Sequence, residues 1–196
     1  TSAFTIADLA TASPNNTVNN VSMAPTGGTT NVSVSIVPKG TGSFSLAVPD
    51  GTATGGNARG ANSVDLQTAR SAAANVASGS YSFACGYDNR ASGSYSFSSG
   101  YQSIASSVNG VAIGWQCTAS GSYETFAFGE YCIASANNAL AIGHQVQSSA
   151  VAASAWGSRA SSTRYGMYSH AAGYFAAMGD AQSARFVLRK KTTDAT

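Results

Sequence analysis

Between Ala77 and about Ala177 one short unit is written seven times, and no other feature constrains the fold as much. Each copy carries a glycine that closes a strand-like run: Gly86, Gly100, Gly114, Gly129, Gly143, Gly157 and Gly173. Successive glycines stand 14 residues apart, apart from one spacing of 15 and a last one of 16. The first two copies, ASGSYSFACGYDNR and ASGSYSFSSGYQSI, are nearly identical. Later copies keep the plan and change the letters, as in SVNGVAIGWQCT, TFAFGEYCI and NALAIGHQVQ. A period this short is too tight for a pair of helices and fits one turn of a β-solenoid.

Aligned on the glycine, the copies form columns of distinct chemistry. Three residues before it stand Phe83, Phe97, Val111, Phe126, Leu140, Ser154 and His170; one residue before it stand Cys85, Ser99, Ile113, Phe128, Ile142, Trp156 and Ala172. Nearly everything between is Ala, Ser, Gly or Thr. Side chains alternate faces along a strand, so one face is bulky and the other almost bare. The bare face lets two backbone layers approach closely, as in a flattened roll. The bulky face repeats on every rung and forms an apolar wall roughly 34 Å long, at about 4.8 Å per rung. Such a patch marks an interface. A three-fold axis would bury Phe83, Phe97, Val111, Ile113, Phe126, Phe128, Leu140 and Ile142 as a trimer core.

Before the repeat the grammar differs. All four prolines fall in the first fifty residues, and all three cysteines after residue 84. Val32, Val34 and Ile36, then Phe44, Leu46 and Val48, alternate with smaller residues and predict a meander of about three strands over 17–48. Asn62 is read as the cap of a short helix over 63–75, with Asp65 in its first turn and Val64, Leu66, Ala69 and Ala73 as a narrow apolar stripe. The expected organisation is a strand module over 1–50, a connector and helix over 51–76, the roll over 77–177, and the start of a following segment over 178–196. The fold class is all-β: a homotrimeric parallel β-roll with ~14-residue repeats, preceded by the strand module and the short helix.

The copies GVAIG and ALAIG, with ASG and ASANN before their strands, resemble the repeat of the YadA-like head of trimeric autotransporter adhesins. That resemblance covers about half of the chain and implies three left-handed parallel β-rolls around one axis. The flanks PDGTATGGNARGANSVDLQTARS and GDAQSARFVLRKKTTDAT look like segments that bracket such repeats in bacteriophage tail-fibre proteins. Together they imply a virion component, a trimeric tail-fibre segment that projects toward a host receptor, with other tail or fibre proteins as partners. Two alternatives stand beside it: the head of a secreted adhesin on a bacterial cell surface, and a polysaccharide-degrading tail spike.

The residues argue against chemistry. Only 9% are charged and the net charge is +2, too weak a basic balance for nucleic acid. No apolar run is long enough to insert in a membrane. Of the carboxylates, Glu124 and Glu130 flank one strand and stand too far apart within a chain for a glycosidase pair. His144 and His170 occupy different columns. No catalytic residue, metal site or cofactor is expected. Cys117 and Cys132 stack on neighbouring rungs and are read as small buried thiols. Two aromatic files remain: Tyr87, Tyr101 and Trp115 just after the glycines, and Tyr81, Tyr95 and Tyr123 before the strands. Of these, Tyr81, Tyr87, Tyr95, Tyr101 and Trp115 are candidate contacts for a host surface glycan, since sugar faces pack on aromatic faces. Rings that merely brace the turns are the competing reading.

Overall fold

The computed structural model describes residues 35–186, together with the backbone of two short strands, β1 (Ala7–Asp8) and β2 (Val21–Ser22). β1 and β2 pair antiparallel within a unit spanning Thr1–Val37. Of the meander expected over 17–48, residues 17–20 and 23–34 lie outside the described residues, Val32 and Val34 among them. Residues 35–37 are not in a strand.

The second unit, from Pro38 onward, is a parallel β-solenoid. It begins with β3 (Phe44–Ser45) and β4 (Val64–Leu66). Six turns follow, each a five-residue strand and a two-residue strand: β5 (Phe83–Tyr87) and β6 (Arg90–Ala91), β7 (Phe97–Tyr101) and β8 (Ile104–Ala105), β9 (Val111–Trp115) and β10 (Thr118–Ala119). The series continues with β11 (Phe126–Glu130) and β12 (Ile133–Ala134), β13 (Leu140–His144) and β14 (Gln147–Ser148), β15 (Ser154–Ser158) and β16 (Ser161–Ser162). β17 (Tyr168–Ala172) and β18 (Gln182–Arg185) end it. Long strands stack into a ten-stranded sheet and short strands into a six-stranded one.

The bare face points inward. Ala84, Ala112, Ala127, Ala141 and Ala155 from the long sheet and Ala91, Ala105, Ala119 and Ala134 from the short one are fully buried. Small side chains fill the space between the sheets, and no aromatic ring is among the fully buried residues. Long strands pair in register, glycine on glycine from Gly86 to Gly157. These glycines have φ of 101° to 134°. A Cβ on Gly129 would lie 2.0 Å from the carbonyl oxygen of Gly143. The carbonyls so turned are met from inside. Asn89 Nδ2 donates to Gly100 O, Ser103 Oγ to Gly114 O, Cys117 Sγ to Gly129 O and Cys132 Sγ to Gly143 O.

Three expectations are corrected. No helix occupies 63–75, or any other stretch of the described residues. Asn62 is left-handed at φ 54°, and Val64–Leu66 pair with Phe83–Cys85 as a further rung. Sheet hydrogen bonds and a buried ion pair outweigh the propensity of a thin apolar stripe. Asp65, expected in the first helical turn, occupies the inner column instead: Arg59 Nε donates to it at 2.8 Å, Arg70 lies 3.9 Å away, and all three side chains are fully buried.

The second correction concerns the last copy. Ala171, not Gly173, pairs with Gly157, so the spacing remains 14 (157 to 171) and the wall residue is Tyr168, with His170 in the other wall column. A glycine is dispensable there because no parallel rung follows: β18 pairs antiparallel with β17. That antiparallel strand caps the roll. Gln182 adds to the cap by accepting from Ser161 N and donating to Ser161 O, as a neighbouring strand would. Third, the extra residue of the 15-residue copy falls in the turn between Ala119 and Phe126, so Tyr123 pairs with Val108 and leaves the file of Tyr81 and Tyr95.

Candidate functional site: the outer wall and the aromatic files

With the interior filled by alanine, the large side chains lie on the outside of the long sheet. Pairing sets Phe83, Phe97, Val111, Phe126 and Leu140 in one column and Ile113, Phe128 and Ile142 in the next. Phe83 and Phe97 stack with centroids 5.1 Å apart, and Phe126 and Phe128 lie 6.4 Å apart. In the single chain none of the eight is fully buried, and Phe128 is 45% exposed. The wall is also longer than the repeat: Phe44 and Val64 extend its first column toward the N-terminus.

The aromatic files hold together as stacks. Tyr87 and Tyr101 stack at 5.2 Å, Tyr101 and Trp115 at 4.1 Å, and Tyr81 and Tyr95 at 5.2 Å, with interplanar angles of 15° or less. Tyr101 has a ring on either side. In the three-ring file the end rings, Tyr87 and Trp115, keep a face outside the stack, as Tyr81 and Tyr95 do in the two-ring file, and a pyranose packs on such an open face. Beyond Trp115 the file changes character, to Glu130 and then His144, whose Nε2 lies 3.9 Å from Glu130 Oε2. Glu124 accepts instead from Asn138 Nδ2 at 2.7 Å.

Two features had no signal in the composition. Each rung turns its corners on left-handed residues: Tyr81, Tyr95, Asn109, Glu124 and Asn138 before the long strand, and Asp88, Gln102, Gln116, Tyr131 and Gln145 after it. Only Asn109, Asn138 and Asp88 are residue types that advertise such a conformation. The second corner carries a polar file, in which Gln116 Nε2 donates to Gln102 Oε1 and Gln102 Nε2 to Asp88 Oδ2. Asp88 is buried at the head of this file. Burial raises its pKa, but hydrogen bonds from Ser71, Asn75 and Gln102 prevail and hold the carboxyl below its ordinary range.

The cysteines are free thiols. Cys117 and Cys132 are fully buried on adjacent rungs, and the neighbouring Cys132 together with burial pushes the Cys117 thiol up. Among the described residues no three His, Cys, Asp or Glu side chains gather to hold a metal ion. Comparison with protein-family models, with curated proteins and with solved structures finds no match.

Proposed function

We propose that the chain is a segment of a trimeric fibre, in which three rolls bury their outer walls against one another. In this reading it belongs to the tail fibre of a bacterial virus, projecting toward a host and contacting its surface. The observation that carries the reading is the inversion of the core. The roll is filled by small residues, alanine above all, while Phe83, Phe97, Val111, Ile113, Phe126, Phe128, Leu140 and Ile142 line its outside as one apolar face. A contiguous face of this kind calls for a protein partner, and identical chains in a closed cyclic arrangement are the simplest source of one. Virion membership draws on the resemblance of the flanking segments to those of phage fibres. The function is mechanical and adhesive, and the end rings of the aromatic files are candidate glycan contacts within it. Antibodies raised against the purified chain test the placement. They are expected to decorate tail fibres in electron micrographs of the virus. Decoration of a bacterial surface, with bare virions, overturns it.

A further inference from the structure

We propose that the polar hollow where the wall ends is a binding site for a carboxylate-bearing sugar. β17 and β18 set Tyr168 opposite Arg185 and His170 opposite Ser183. Residues two apart on a strand share a face, and directly opposed antiparallel residues have Cβ atoms about 4.5–5.5 Å apart. The four side chains therefore form a square patch. They line an open surface hollow of about 580 Å³.

The chemistry converges on one ligand class. Arg185 carries a planar fork of donors suited to a carboxylate, and no carboxylate among the described residues forms an ion pair with it. The Ser183 hydroxyl and the His170 imidazole supply donor and acceptor positions for ring hydroxyls. Tyr168, 43% exposed, adds an aromatic surface for a pyranose. One rung away Trp156 pairs with His170, and its indole Nε1 is buried without a hydrogen-bond partner. A bare inorganic anion would use the guanidinium and leave the ring and hydroxyl groups idle. An acidic sugar uses all four. The hollow lies beyond Trp156, where the apolar columns give way to Tyr168, His170 and Arg185, and its four lining residues come from one chain. The proposal rests on the receptor-contacting part of the function above, and not on its three-fold part.

The chain has two histidines, His144 and His170, which gives a direct readout. Imidazole resonances of the ¹³C-histidine-labelled protein are followed while a hyaluronan tetrasaccharide, sialyllactose, chitotetraose or acetate is added to roughly millimolar concentration. The His170 resonance is expected to shift with hyaluronan tetrasaccharide or with sialyllactose, the responding probe identifying a uronic or a sialic acid as the ligand. His144 is expected to stay still, and chitotetraose and acetate to have no effect. Arg185→Gln, an exposed change on the last strand, is expected to weaken binding about tenfold or more. A still His170 with both acidic probes, an equal response to chitotetraose or acetate, or unchanged affinity in Arg185→Gln overturns the site. Sedimentation of the same samples reports assembly separately, so loss of the sugar site and loss of the trimer are distinguishable.

Discussion

Gly129 illustrates what the repeat demands of a single residue. It combines a φ of 127° with a neighbouring carbonyl where a Cβ would stand. Gly129→Ala meets both a strained backbone and a clash with a rigid strand, and is expected to cost at least about 1–3 kcal/mol. Thermal unfolding checks this; an unchanged melting temperature would refute the reading of the column. Asp88 makes a different demand. Its folded pKa is depressed, so its contribution is present above the ordinary carboxylate value of about 4 and is lost as pH falls through the folded value. Stability should decline below about pH 4, and Asp88→Asn should flatten that part of the curve. An equal acid slope in the variant would contradict it. The thiols give a third test: Cys117 and Cys132 should resist an alkylating reagent in the native protein and react once it is unfolded. Native labelling of either would place it outside the roll.

At the scale of elements, the long strands were legible because their glycine and their alternation repeat in every copy. The first rung was not. Val64, Asp65 and Leu66 look like the start of a helix on local propensity, and only the pairing with Phe83–Cys85 and the two arginines on Asp65 explain a strand. Such long-range partners are invisible to a local reading. The same holds for the last copy, where Gly173 attracted the alignment although Ala171 holds the place. The wall residues were legible as a set because bulk alternates with alanine. The left-handed corners at Tyr81 or Gln102 were not, since neither side chain favours that conformation. Asp65 yields a prediction at this scale. Asp65→Asn leaves Arg59 and Arg70 buried without a counter-charge, an arrangement that typically costs about 3–5 kcal/mol. A large drop in unfolding midpoint is expected, and a drop no larger than that of an exposed Asp50→Asn control would show that the ion pair does not hold the first rung.

At the scale of the molecule, the solenoid has a capped C-terminal end and one open side. There β18 pairs antiparallel with β17 and Gln182 bonds to Ser161, so the run of parallel rungs stops at β17. The side is the apolar wall, which a single chain leaves uncovered. Sedimentation equilibrium at micromolar concentration tests most directly whether other copies of the chain cover it. One chain weighs 19.7 kDa, and the account predicts a species of three times that mass, with Phe128→Asp shifting it toward the single-chain mass. A well-folded 19.7 kDa monomer, with its wall facing water, would contradict it.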